Sequence, residues 1–140
     1  MTNIFADACY WIALLHRNDQ LHRAAVAVQT KLAHANVVTT DEVLGEVLNF
    51  FGGRGPELRT LAAKTVEALR ADARVRVVEQ SRTTFDNGLA LYKNRRDKEY
   101  SLVDCVSFEL MTRDGITEAL TDDHHFVQAG FVALLRVLNS

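Results

Sequence analysis

The chemistry this sequence offers lies in acidic side chains from four separate stretches. Asp7 follows the short apolar run Ile4-Phe5-Ala6. Glu42 and Glu46 sit in an apolar-striped segment. Asp104 follows Ser101, and Asp122-Asp123 closes the run from Glu118 to Thr121. Pressed together, such carboxylates repel one another and hold their protons more tightly unless a cation intervenes. A cluster of oxygen donors suits Mg²⁺ or Mn²⁺, ions that activate water and stabilise an in-line displacement at phosphorus. Each acid also has a plainer reading at a helix start. Asp7 fits an N-cap, Ser101 to Asp104 and Thr39 to Glu42 fit capping boxes, and Asp122 or Asp123 fits a cap for the turn that follows. Capping is the commoner role for each residue alone. Convergence separates the two readings, because caps have no reason to meet. Glu42 and Glu46, one helical turn apart, form a mildly unfavourable like-charge pair.

The elements that must position these acids alternate along the chain. Ile4–Ala6 reads as a buried strand, and Ala8–Arg17 and Gln20–Ala35 as helices on either side of a break at Asn18-Asp19. Val37–Thr39 is strand-like. In Asp41–Phe51, Val43, Leu44, Val47, Leu48 and Phe51 recur at helical spacing. Gly52-Gly53-Arg54-Gly55-Pro56 interrupts, with Pro56 suited to begin a helix that runs to about Ala71. Val75–Val78 alternates as a strand, Thr83–Asn94 is helical, and Arg95–Glu99 is a charged loop. Ser101–Arg113 is a helix stopped by Asp114-Gly115. Glu118–Thr121 is a strand, a turn of helix surrounds His125, and Val132–Leu138 is a last apolar strand. This alternation predicts an α/β fold with three layers, a central, mostly parallel sheet covered by helices on both faces. Ligands in such sheets bind beyond the carboxyl ends of the strands, where Asp7 and Asp122-Asp123 fall.

The 140 residues, 48% apolar, are expected to form one domain over 1–140. The apolar run Ala8–Leu15 is too short to span a bilayer and lacks the basic segment of a leader, so a cytoplasmic protein without a membrane role is expected. The two cysteines, Cys9 and Cys105, have no metal-type spacing and fit a reducing compartment. Net charge is −2, but Arg54–Lys98 carries 11 Lys/Arg against 6 Asp/Glu, while the remainder carries 5 against 12. A basic middle beside an acidic remainder could draw phosphate to one side and cations to the other. The candidates for contacting phosphate are Arg54, Lys93, Arg95, Arg96 and Lys98, which read equally as a solvated charged surface. The glycine-rich turn lacks the Gly-Lys-Ser/Thr ending of a phosphate-binding loop. His22, His124 and His125 read as surface or supporting residues. Trp11, Phe50 and Phe51 read as core or interface, and an exposed Phe50 would suit a docking segment. The run Asp7-Ala8-Cys9 lacks the Asp-x-Asp of a haloacid-type phosphatase, and no lysine follows Lys98 as a phospho-receiver would need.

In four stretches the chain resembles the PIN-domain ribonucleases, specifically the VapC-type toxins of bacterial toxin–antitoxin pairs. These are Ile4–Leu15 with Asp19–His22, then Thr39–Leu48, Ser101–Phe108, and Leu120–Phe126 with Ala129–Phe131. All four occur in the family's order and span nearly the full length. The resemblance implies a PIN-like fold and a divalent-metal-dependent endoribonuclease acting on cellular RNA. It assigns the metal-binding and catalytic roles to Asp7, Glu46, Asp104 and Asp123, with Asp122 and Glu42 as further candidates. It implies Mg²⁺ or Mn²⁺ as cofactor, a cognate antitoxin as partner, and a homodimer. Cys9 departs from the family, which often has Ser, Thr or Asn there. A thiol is a poorer hydrogen-bonding group, which leaves a catalytically weakened PIN-like RNA- or protein-binding module as the alternative.

Overall fold

In the computed structural model, residues 2–139 are described, so Met1 and Ser140 of the expected 1–140 unit lie outside them. Five strands are present: β1 (Thr2–Ala6), β2 (Ala35–Thr40), β3 (Val75–Val78), β4 (Glu118–Leu120) and β5 (Val132–Ala133). The helices are α1 (Ala8–Leu15), α2 (His22–Gln29), α3 (Asp41–Gly52), α4 (Pro56–Ala71), α5 (Arg82–Asn94), α6 (Leu102–Asp114), α7 (His124–Gln128) and α8 (Leu134–Asn139). None is long and apolar enough to cross a membrane.

The strands form one sheet in the order β3-β2-β1-β4-β5, and every pairing is parallel. The α/β/α expectation therefore holds, with a wholly parallel sheet. Helices α1 to α4 and α8 pack among themselves, as do α5, α6 and α7. That division follows from right-handed crossovers. The chain winds outward from β1 to β3 with helices on one face, then returns to the far side of β1 with helices on the other. The direction of winding reverses between β1 and β4, which opens a crevice at their carboxyl ends. Burial from both faces explains the composition of the central strands. Phe5 and Ala6 are fully enclosed, as are Val38, Thr39 and Thr40 at the end of β2. The core beneath the α5–α7 layer is aromatic, with Phe108 meeting Phe126 edge to face at 4.9 Å and Tyr100 meeting Phe108 at 5.0 Å.

Two segments differ from the sequence reading. The helix expected over Gln20–Ala35 ends at Gln29 and gives way to a 3₁₀ turn at Thr30–Leu32, and Ala35 already belongs to β2. Ala35 pairs with Thr2 and is buried, so sheet pairing overrides alanine's helical preference. The strand expected over Val132–Leu138 is only two residues long and turns into α8. β5 pairs with β4 through Val132 and Ala133, after which the Leu135 amide donates to the Thr121 carbonyl and its side chain is fully buried. A short apolar run is compatible with either element, and packing against α2 selects the helix.

Helices α5 and α6 approach closely at Gly88. A Cβ built there would lie 2.5 Å from Val106 Cγ2 and 3.2 Å from the Val106 amide nitrogen. Backbone cannot rotate away, so the clash outweighs the roughly 1 kcal/mol of helix propensity an alanine brings. Gly88→Ala is expected to lower stability by about 1–3 kcal/mol, read as a lower urea midpoint with an unchanged slope. An unchanged or raised midpoint would show that the two helices tolerate separation.

Candidate active site

Asp7 leaves the sheet at the carboxyl end of β1, in its central position. The Asp7 amide donates to the Leu120 carbonyl at 3.3 Å, and Thr39 Oγ1 donates to the Ala6 carbonyl at 2.8 Å. The chain is thus held from both neighbouring strands at the point where it turns into α1. Asp7 stands at the N-cap of α1 by position, yet its side chain caps nothing. The carboxylate instead accepts from Thr121 Oγ1 at 2.9 Å, and the residue is only 8% exposed. The capping explanation fails at this residue.

Thr121, which the sequence reading used only as part of a motif, organises the next acid. Its hydroxyl donates to Asp7 and accepts from the Asp123 amide at 3.1 Å, linking the ends of β1 and β4. The signal available in the sequence was a hydroxyl residue at a strand end beside two acids. Asp123 caps α7, accepting from the His125 amide at 2.9 Å. Asp104 closes a capping box with Ser101. Its Oδ2 accepts from the Ser101 amide at 3.1 Å, and its own amide donates to Ser101 Oγ at 3.0 Å. For these two acids capping and convergence hold together. His125 Nδ1 lies between them, 3.2 Å from Asp104 Oδ2 and 3.4 Å from Asp123 Oδ1.

Glu46 enters from α3. Burial pushes its carboxyl up to about 7, with further elevation from the charges of Asp7, Asp104 and Asp123. Asp7 is pushed up to about 6, chiefly by burial against the opposing pull of its hydrogen bonds, with Asp104 and Asp123 adding repulsion. Asp104 is raised as well, again mainly by burial. These influences bring the four carboxyls, from α3, α6 and the ends of β1 and β4, within electrostatic reach of one another. Among the described residues no lysine or arginine pairs with any of the four. Oxygen donors in excess of nearby cations fit a hard divalent ion.

The two further candidates stand apart. Glu42 lines a cavity with Thr84, Asn87, Glu109 and Arg113, and the charges acting on Glu46 do not include it. Nor does Glu42 complete a capping box. Thr40 is the cap and bonds the Val43 amide, so Glu42 falls one position early. Asp122 contributes its backbone, donating to Cys9 Sγ at 3.4 Å and accepting from Arg136 at 3.2 Å. Cys9 Sγ also lies 3.3 Å from Thr121 Oγ1, and burial pushes the thiol up to about 12. The thiol is therefore neutral, and Asp7 keeps its support from Thr121 despite the departure at this position.

The charged loop adjoins this pocket. Lys93, Arg95, Arg96 and Lys98 line an open cavity of about 560 Å³ together with Tyr92, Tyr100 and Cys105. Cys105 follows Asp104, and the Tyr100 ring meets His125 edge-on at 5.5 Å, so cavity and acids share a wall. Arg95 is engaged in a two-pronged pair with Asp97, whereas Lys93 and Arg96 form no ion pair among the described residues. Arg54 instead lies over the Phe50 ring at 3.7 Å and leaves Phe50 half-buried. Trp11 and Phe51 are core residues. His22 Nδ1 contacts the Ala13 carbonyl at 2.7 Å and ties α2 to α1.

Comparison with known proteins gives a consistent result. The family model for the PIN domain matches residues 4–132. Two curated relatives, both named 23S rRNA-specific endonuclease VapC20, come from Mycobacterium tuberculosis strains CDC 1551 / Oshkosh and ATCC 25618 / H37Rv. Each is 31% identical over 129 residues, covering 92% of this chain and 95% of the relative. The crystal structure of Mycobacterium tuberculosis VapC20, described as a sarcin-ricin loop cleaving toxin, superimposes with a TM-score of 0.82. That match has 32% identity and covers 92% of this chain and 96% of the other.

Raised carboxyl values carry a stability consequence with a definite sign. Asp7 and Glu46 ionise less readily in the fold than in the unfolded chain, where they titrate near 3.8 and 4.5. Their contribution is fully present below those values and is lost as pH climbs through about 6 and about 7. Metal-free protein should therefore melt at progressively lower temperature between pH 4.5 and 7.5. Asp7→Asn should flatten that decline and melt higher than wild type at pH 7.5. A melting temperature independent of pH across that window would contradict the shared pocket.

Proposed function

The chain belongs to the PIN-domain family and is an endoribonuclease of the VapC type; we propose that Asp7, Glu46, Asp104 and Asp123 are its catalytic acids. In this reading they hold Mg²⁺ or Mn²⁺ and hydrolyse a structured cellular RNA. The carrying observation is the electrostatic coupling of four carboxylates from distant parts of the chain in one half-buried pocket at the sheet's switch point. The names of the relatives make 23S ribosomal RNA, and its sarcin-ricin loop, the first substrate to test.

Asp7, Glu46, Asp104 and Asp123 would hold the divalent ion, whose chemistry would be to offset the phosphate's charge and acidify a water. The chain's own groups do the rest. Asp7, immobilised by Thr121, presents a fixed oxygen. Asp104 and Asp123 are aimed by the Ser101 and His125 amides. Glu46, half-buried beside the other acids, would complete the cluster or orient the attacking water. Lys93 and Arg96 hold phosphates flanking the cleaved bond, which positions the strand without reading its bases.

The partners we assign are the RNA substrate, a cognate antitoxin protein and a second copy of this chain. Phe85, Leu89 and Tyr92 form an exposed apolar stripe at helical spacing along α5, which supports the homodimer. A cytoplasmic location follows from the substrate and agrees with two free cysteines.

Cleavage should require a divalent ion, stop with EDTA and return on adding Mg²⁺ or Mn²⁺. Asp7→Asn should lose at least about 100-fold of activity, since even outer partners of metal ligands matter by 10- to 100-fold. Full turnover by Asp7→Asn would remove that residue from the mechanism. With the Asp7→Asn background preventing turnover, Lys93→Ala and Arg96→Ala should each weaken RNA binding. Each should also lower the slope of log K against log salt by about 0.7 for every phosphate no longer neutralised. Unchanged slopes would place the RNA elsewhere.

A further inference from the structure

On the flank of the acidic pocket nearest α7, the donor set changes from oxygen alone to oxygen and nitrogen. One ligand atom from each of Asp123, His124 and His125 lies within 4.8 Å of the others. His125 Nδ1 stands 3.4 Å and His124 Nδ1 3.7 Å from Asp123 Oδ1, and the two rings are 4.3 Å apart between centroids. Two ligands on one tetrahedral ion, at bond lengths of about 2.0–2.1 Å, sit about 3.3–3.4 Å from each other. The Asp123–His125 edge has this length already. The Asp123–His124 edge is a few tenths of an ångström longer, a gap that rotation of the exposed His124 ring closes.

Two of the three donors are held in place by the protein. The His125 amide fixes Asp123 Oδ1 at 2.9 Å. The His125 ring is held by the edge of Tyr100, and its Nδ1, 3.2 Å from Asp104 Oδ2, would exchange that contact for the ion. Three protein donors with a fourth position left to water is the composition of zinc sites that exchange a ligand. Imidazole nitrogen also decides which ion enters. Mg²⁺ takes oxygen ligands and gains little from histidine, whereas Zn²⁺ and Co²⁺ bind imidazole well.

We propose that Asp123, His124 and His125 form a second cation position that binds Zn²⁺ or a similar imidazole-seeking ion in preference to Mg²⁺. Its binding stands on these three side chains alone. Its consequence for turnover rests on the endoribonuclease reading. Asp123 belongs to both positions, so an ion held by the histidines withdraws an oxygen from the four-acid pocket and should inhibit Mg²⁺-supported cleavage.

The probe is Co²⁺, whose visible absorption reports coordination, titrated into the untagged full chain. The expected result is the strong band of a four- or five-coordinate, nitrogen-ligated ion, displaced by Zn²⁺ and retained under a large excess of Mg²⁺. Asp7→Asn, outside the group, should keep the band. His124→Ala, at an exposed position that leaves the fold intact by circular dichroism, should weaken Co²⁺ binding by at least about tenfold. A pale spectrum typical of six oxygen ligands, or wild-type Co²⁺ affinity in His124→Ala, would overturn the proposal. A wild-type protein that binds Co²⁺ through the histidines but cleaves no RNA with any divalent ion would refute the nuclease reading and leave the second position standing.

Discussion

The burial of mutually repelling carboxylates at one edge of the sheet is the constraint on which the site depends. Isolated acids at a protein surface ionise freely and drift apart. Here burial and mutual charge hold Asp7 near 6 and Glu46 near 7, so the folded chain bears a strain that a divalent cation relieves. Keeping the acids together against that repulsion requires rigid supports on every side. Parallel strands provide them, because their carboxyl ends fall on one edge and their helices bring further side chains over it. The reversal of winding between β1 and β4 leaves a gap at that edge, and the acids occupy it.

The supports are hydroxyl groups and backbone amides, which hold carboxylates without neutralising them. Thr39 steadies the Ala6 carbonyl just before Asp7, and Thr121 bridges Asp7 to the Asp123 amide. Both threonines are fully buried, and their hydroxyls are satisfied inside the pocket's wall. A lysine or arginine in either place would form an ion pair and remove the negative potential that draws a cation. His125 is the exception among these supports, its Nδ1 lying between Asp104 and Asp123. On the catalytic role proposed for Asp7, function and stability pull in opposite directions there, since a neutral replacement would remove the buried charge that the site needs.

Most of the fold was legible because periodicity and punctuation agreed. Pro56 to Ala71 and Val75 to Val78 read from the sequence with their actual boundaries. The misreadings occurred where tertiary packing decides between equal local preferences. Ala35 joined β2 because Thr2 was there to pair with it, and Leu134 onward became helix because α2 was there to pack against. At the site, four acids could be named from motif order, but their meeting depends on contacts across more than a hundred residues. The link from Thr121 to Asp7 is of this kind, and the placing of His125 beside Asp104 likewise depends on how α7 packs against the start of α6. The capping box read over Thr39 to Glu42 is displaced by one residue, because Thr40 is the cap and bonds the Val43 amide.

The capping box at Ser101 and Asp104 has a genetic corollary. Asp104 starts α6 and supplies an oxygen to the pocket, yet the first task needs only an acceptor, which asparagine also provides. A single base change from Asp to Asn would therefore remove a negative charge from the pocket while the helix still begins in the same place. On the proposed role of Asp104, the start of α6 and the negative charge of the site are thus separable properties of one side chain.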